Sequence, residues 1–177
     1  MSKKPPYTIA ADAQKILDAD KIAQKLHRIA LQIIENNYDA PQIAMIGIED
    51  GGYFLSKKIK KIIEEKSSIK IAVSALYVNK EHPLSEKPVL RDELVLDNIP
   101  VIIVDDVANT GKTLFYALDA LIHAVPTKVS VAVLIDRMHK MFPITADFVG
   151  FSLATTFTEH IIVQFTASEE AEGVYMF

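Results

Sequence analysis

The sequence predicts an α/β protein, a mostly parallel twisted sheet with helices on both faces, folded as a single domain. Three observations carry that expectation. Short apolar runs alternate with longer segments of helical periodicity, and such an alternation requires right-handed crossovers that lay parallel strands side by side. Two runs, "IAMIGI" at 43–48 and "VIIV" at 101–104, are apolar without interruption, as strands covered on both faces must be. A chain of 177 residues is long enough to bury one real core and shows no internal repeat or second domain, so residues 1–177 are read as one unit.

Each element follows in order. Residues 1–15 form a poorly patterned arm containing Pro5-Pro6. From Asp18 onward, Ile22, Leu26, Ile29, Ala30, Ile33 and Ile34 recur at steps of three and four, one face of an amphipathic helix that fades at Asn36-Asn37 before Pro41. The 43–48 strand runs into Gly51-Gly52. "YFLSKKIKKIIEEK" sets Leu55, Ile59, Ile62 and Ile63 on one side and lysines on the other, a second helix, and "IKIAVSALYV" at 69–78 alternates as a strand. Residues 79–98, "NKEHPLSEKPVLRDELVLDN", make a long weakly patterned loop of the kind that is functional or mobile, although "VLRDELVL" also suits a hairpin arm. After the 101–104 strand, Leu114, Ala117, Leu118, Leu121 and Ile122 predict a helix over 113–125. "KVSVAVLI" at 128–135, "ADFVGF" at 146–151, "HIIVQF" and "GVYMF" read as further strands.

Composition narrows the function classes. Half of the residues are hydrophobic and 24% are charged, an ordinary globular balance. A net charge of −4 and a pI near 5.7 lack the overall basic excess of a dedicated nucleic-acid binder. Without cysteine there is no disulfide and no thiolate metal site, which fits a reducing compartment. "MSKKPPYTIAADAQ" has two lysines but no following apolar segment, so no signal peptide is expected. No apolar run approaches the ~20 residues of a membrane span. A soluble, cytoplasmic protein is expected.

In parallel sheets, ligands bind beyond the carboxyl ends of the strands. Three polar clusters, Gly51-Gly52, Asp105-Asp106 and Asp136-Arg137, fall at such ends. The middle one opens "VDDVANTGKT". One reading is a plain acidic strand end followed by a helix capped by Thr110. A nucleotide-triphosphate loop fails, because the glycine it needs five residues before Gly111 is here Asp106, a carboxylate against phosphates. The third reading divides the labour. Residues Asn109 to Thr113 open a helix whose N–H groups and dipole favour a phosphate, with Gly111 allowing close approach and the Thr110 and Thr113 hydroxyls donating. Asp105 and Asp106 cannot bind phosphate, but they accept hydrogen bonds from a vicinal diol. Phosphate and diol together describe a ribose 5-phosphate.

"VIIVDDVANTGKT" resembles the 5-phosphoribosyl-1-pyrophosphate (PRPP) signature of type I phosphoribosyltransferases: four apolar residues, two acids, an apolar residue and a Thr-Gly-x-Thr loop. With "HRIALQIIENN", "IGIEDGGYFLSKKI" and "VLIDRMHKMFPITADFVG", the chain over roughly residues 16–166 is similar to the bacterial pyrimidine-operon regulator and uracil phosphoribosyltransferase family. "ADFVGFSL" also resembles hypoxanthine-guanine phosphoribosyltransferases. The resemblance implies the type I fold, with a small hood built from the N- and C-terminal segments. It implies transfer of ribose 5-phosphate from PRPP to a nucleobase (uracil or a 6-oxopurine) in nucleotide salvage, with Mg²⁺ on the departing pyrophosphate. By the same resemblance Asp105 and Asp106 are the catalytic pair on the ribose hydroxyls and the candidate metal ligands. Ala108, Asn109, Thr110, Gly111, Lys112 and Thr113 would take the 5-phosphate, with Val107 beside them in the substrate site; Glu49, Asp50, Gly51 and Gly52 would face the pyrophosphate, and Ile135, Asp136, Arg137 and Met138 would border the base. The 79–98 loop would close over the site. A homodimer or higher homo-oligomer is implied too, and, because the family's regulators bind messenger RNA, so is an alternative role as a nucleotide-sensing RNA-binding protein. A non-catalytic PRPP or nucleotide binder is the third reading.

The departures from the family pattern are local. Pyrimidine members usually carry Thr-Arg-Gly at the turn after the first parallel strand, and the arginine position here is Gly51. Hypoxanthine enzymes usually carry Lys-Gly-Gly, and the lysine position here is Asp50. The turn has gained the acids Glu49 and Asp50 and holds no cation. An uncompensated unit charge about 5 Å from a phosphate, at an effective dielectric of ~20, costs roughly 3 kcal/mol. The Tyr-Arg-Asp-Asp that often follows the second strand is replaced by "YVNKEH". Asn109 stands where purine enzymes carry an aspartate and pyrimidine members an aromatic, leaving the base open; it either donates to a base carbonyl or caps the loop. His27, His82, His123, His139 and His160 show no metal-ligand spacing, and only His139 falls near the expected base. Lys57, Lys58, Lys60 and Lys61 read as a solvated helix face ahead of an RNA patch.

Overall fold

A computed structural model describes residues 13–154, 159–165 and 172–177. Its centre is a six-stranded sheet made of β2 (Gln42–Ile48), β3 (Lys70–Tyr77), β4 (Val89–Leu90), β5 (Pro100–Ala108), β6 (Lys128–Arg137) and β7 (Phe148–Leu153), in the order β4-β3-β2-β5-β6-β7. All neighbours are parallel except β4, which pairs antiparallel with β3 at the edge. This is the predicted fold class. The two uninterrupted apolar runs become neighbouring central strands, β2 and β5, with Ile43 to Ile46 and Val101 to Val104 all buried.

Alternate residues of these strands feed two cores. On one face, helices α1 (Ala19–Asn36) and α2 (Gly51–Lys66) press Ile22, Leu26, Ile29, Ile33, Leu55, Ile59 and Ile63 onto Met45, Ile71, Ile102 and Leu134. Each such side chain, fully buried, contributes about 1.5–3 kcal/mol. Asp18 caps α1 by accepting from the Lys21 amide at 2.9 Å, and this bond holds its carboxyl below the usual carboxylate range. Arg28 then ties α1 to β7 by donating to the carbonyls of Val149 and Gly150 at 2.9 and 2.6 Å. On the other face, Ile46, Ile48, Val101, Ile103 and Val133 meet a much shorter cover, α3 (Lys112–Ala117) and a 3₁₀ turn at Leu118–Leu121.

Here the structure corrects the expected 113–125 helix. The chain tightens after Ala117 and is then captured by the 79–98 segment: Asp97 accepts from the Val125 amide at 2.6 Å, and the Asn98 amide donates to the Val125 carbonyl at 2.9 Å. Tertiary capture overrides the helical period. "VLRDELVL" forms no hairpin arm of its own: the two residues of β4 pair with β3, and the next amides go to that same strand, Arg91 to the Ala75 carbonyl and Asp92 to the Ser74 hydroxyl.

Part of the expected arm is also a strand. β1 (Gln14–Asp18) pairs antiparallel with β9 (Gly173–Met176), which pairs with β8 (Ile161–Gln164). The rest of the arm, residues 1–12, lies outside the described residues. This second, three-stranded sheet is the small unit expected from the two chain ends. It sits over the start of α2, where Phe165 stacks on Phe54 with ring centroids 6.5 Å apart and Glu172 pairs with Lys58 at 3.0 Å. Among the described residues no helix is long and apolar enough to cross a membrane.

Candidate active site

The expected acidic strand end lies inside β5, which runs on through Asp105 and Asp106 to Ala108 because it keeps pairing with β6 as far as Ala108 opposite Asp136. The strand fixes both carboxylates. Asp105 is only 4% exposed and accepts from the Asp106 amide at 3.0 Å, while Asp106 accepts from the Val107 amide at 2.9 Å. Burial pushes the Asp105 carboxyl well above its ordinary range, and the neighbouring Asp106 charge pushes the same way; Lys80, from the 79–98 segment, acts in opposition. The fold has put a carboxylate where its charged form is costly.

The turn between β2 and α2 closes against this pair. A Cβ built on Gly51 would fall 2.1 Å from Asp106 Oδ2, and one on Gly52 would fall 2.2 Å from the Val104 carbonyl oxygen. Only glycines let the turn lie flat on β5. The Glu49–Asp50 peptide is cis, the Glu49 amide donates to the Leu76 carbonyl at 3.1 Å, and the exposed Asp50 precedes Gly51. The expectation that this corner holds no cation is corrected. Arg91, which follows β4, crosses the edge of the sheet to donate to Glu49 Oε1, with its guanidinium 4.9 Å from the centre of the Tyr53 ring. Lys57 lies over the Tyr53 and Phe54 rings, 4.5 Å from each centroid.

Downstream, Val107 is half-buried and Ala108 buried, and the loop from Asn109 to Gly111 turns back at Gly111, whose φ of 83° lies in the left-handed region that disfavours any side chain. Thr110 Oγ1 accepts from the Lys112 amide at 3.3 Å, and the Thr110 carbonyl accepts from Met141 and Phe142 at 3.0 and 3.1 Å. Helix α3 has six residues and begins at Lys112, one residue before the expected Thr113. Its dipole is small, and the groups that could donate to an anion here are the loop amides and the Thr110 and Thr113 hydroxyls.

The third cluster divides. The Ile135 side chain is fully buried in the core under α1 and α2, so this residue borders the site through its backbone. Arg137 is buried at 5% exposure, whereas Met138 is 68% exposed. Asp136 accepts from Lys140, whose ammonium also donates to the carbonyls of Ala108 and Asn109 at 3.1 and 3.3 Å. Lys140 thus clamps the segment after β6 to the loop after β5. Sequence reasoning missed Lys140, Lys80 and Arg91. The spacing of Asp136 and Lys140 was a weak signal, and nothing local marked the other two. Among the described residues no group of three or more His, Cys, Asp or Glu could hold a metal by itself.

A buried and a half-buried acid, a glycine turn lying on them and a threonine-glycine loop just downstream set acceptor groups beside donor groups at one edge of the sheet. The comparisons identify the family. Residues 12–170 match the phosphoribosyl transferase domain family. The bifunctional protein PyrR of Macrococcus caseolyticus is 35% identical over 172 residues, covering 93% of this chain and 99% of the relative. That of Limosilactobacillus reuteri is 37% identical over 171 residues, covering 91% and 94%. Among solved structures, the hypoxanthine phosphoribosyltransferase of Trypanosoma cruzi superposes with a TM-score of 0.75 at 15% identity, covering 92% of this chain and 95% of that one. A hypoxanthine-guanine phosphoribosyltransferase of Bacillus anthracis superposes with a TM-score of 0.70 at 19% identity, covering 85% and 87%. At those identities the structural likeness is one of fold.

Proposed function

The chain belongs to the phosphoribosyltransferase family, alongside the PyrR proteins, and from that membership we propose how its cleft works. It transfers ribose 5-phosphate from PRPP to a nucleobase, uracil or a 6-oxopurine, with release of pyrophosphate. A ring nitrogen of the base bonds to ribose C1 as the bond from C1 to the pyrophosphate oxygen breaks, and positive charge builds on the sugar between the two events. Asp105 and Asp106 accept the ribose hydroxyls and stabilise that charge; Val107 to Thr113 hold the 5-phosphate; Asp50, Gly51 and Gly52 face the pyrophosphate. The base lies toward Asp136 to Met138. Holding both reactants in line is the main catalytic contribution.

The donor set fits Mg²⁺. Two adjacent carboxylates, Asp105 held where its own charge is disfavoured, are hard oxygen donors of the kind Mg²⁺ takes in ones and twos, and Asp105 and Asp106 would hold it. Bound there, Mg²⁺ supplies neutralisation of the leaving pyrophosphate. The observation that carries the reading is the pair of buried Asp105 and half-buried Asp106, with the Gly51 turn lying on Asp106 and the Gly111 loop following directly in the chain. Incubation with PRPP, Mg²⁺ and, in turn, uracil, hypoxanthine, guanine, xanthine and adenine tests it. Pyrophosphate release is expected with at least one base. Binding of PRPP without turnover of any base would identify a non-catalytic binder instead.

The relatives are named bifunctional, which supports a second reading as a nucleotide-responsive RNA binder. It requires salt-sensitive binding to a leader hairpin, and a flat mobility-shift titration at low salt excludes it. The lysine run offers less surface than its sequence suggests, since Lys58 pairs with Glu172 and Lys60 with Glu64. Exposed Ile122, Val125 and Val129 at the thinly covered face support a homodimer or higher homo-oligomer. Substrates this highly charged do not cross membranes, which supports a cytoplasmic setting.

A further inference from the structure

The 79–98 segment brings a cation to a turn that has none of its own. Arg91 reaches Glu49 at the turn that lies on Asp106. Glu49 engages the guanidinium through one oxygen, Oε1, and Arg91 remains 49% exposed on its side chain, so its fork of five N–H donors retains capacity for a second anion. Its position is built. The Arg91 amide is fixed to Ala75, the Glu49 amide to Leu76, and the Tyr53 ring lies under the guanidinium. We propose that Arg91 is the pyrophosphate-binding cation of this protein, supplied across the sheet edge in place of a basic residue in the turn, with Glu49 holding its guanidinium at the site.

This rests on the phosphoribosyltransferase reading and deepens it. The turn can carry the acids Glu49 and Asp50 because the compensating charge comes from elsewhere in the chain. Glu49 then has a double effect: it positions Arg91, and it competes with pyrophosphate for the same donors.

Calorimetric titration with Mg·pyrophosphate, PRPP and UMP separates the claims, since only the first two carry the pyrophosphate group. Arg91→Ala should weaken Mg·pyrophosphate and PRPP by roughly tenfold or more, the loss of a charge-assisted bond, and leave UMP unchanged. Arg91→Lys should fall between, because it keeps the charge and loses the fork. Glu49→Gln should tighten Mg·pyrophosphate several-fold. Unchanged pyrophosphate affinity in Arg91→Ala, or an equal loss for UMP, overturns the inference; the second result would make Arg91 a structural prop. Wild-type protein that binds UMP but not Mg·pyrophosphate also overturns it while leaving the nucleotide site standing. Wild-type protein that binds none of the three overturns the functional reading and this inference with it.

Discussion

The cleft has two acidic corners, and the chain treats them in opposite ways. At the turn, Glu49 is partly exposed and meets Arg91, so its charge is balanced within the molecule. At the end of β5, Asp105 is buried beside a second carboxylate, and both burial and that neighbour disfavour its charge. A fold selected only for stability would favour the first arrangement. On the function proposed above, the balancing partner of the second, sugar hydroxyls and a divalent cation, comes from outside. The difference separates acids that belong to the scaffold from acids kept for a ligand.

The sharpest way to break the contrast is Asp106→Asn, with Asp105→Asn beside it. Each should cut turnover by about 10²–10³-fold, the usual loss for a group that stabilises developing charge, while far-ultraviolet circular dichroism stays native. Turnover close to wild type would return both residues to the scaffold. A middle-sized effect concerns stability. Because the Asp105 carboxyl is raised in the folded state, the folded protein binds the extra proton, and the stability this confers is complete below the ordinary carboxylate range and lost as pH rises through the shifted value. Asp105→Asn should therefore unfold later than wild type at neutral pH, by on the order of 1–2 kcal/mol, with the gap closing as the pH falls toward 4. A variant less stable than wild type at pH 7 would mean the carboxylate is satisfied where it sits. The smallest effect is at the other corner: Asp50→Lys should tighten Mg·pyrophosphate a few-fold through a solvent-screened charge. Unchanged affinity would show that residue 50 points elsewhere.

How far the sequence reached follows from the range of the interactions. Periodicity made β2, β5, α1 and α2 legible because each of them buries a face set by its own residues. The turn at Gly111 was legible too, since glycine and threonine at fixed spacing act through local backbone. Arg91 and Lys140 were not, because what they do depends on which distant segment the fold brings within reach: Glu49 in one case, Ala108 and Asn109 in the other. β1 escaped for the same reason, as a strand defined by its pairing with β9. The 113–125 helix failed in the opposite sense, a sound local pattern cut short by Asp97 and Asn98.

The small sheet also sets an order of events. Asp18 pairs with Gly173, so β1 stays without its partner until almost the whole chain has left the ribosome. Closing so long a loop costs roughly 4–5 kcal/mol of chain entropy before any ladder bond forms, which makes this sheet the last piece to zip during synthesis.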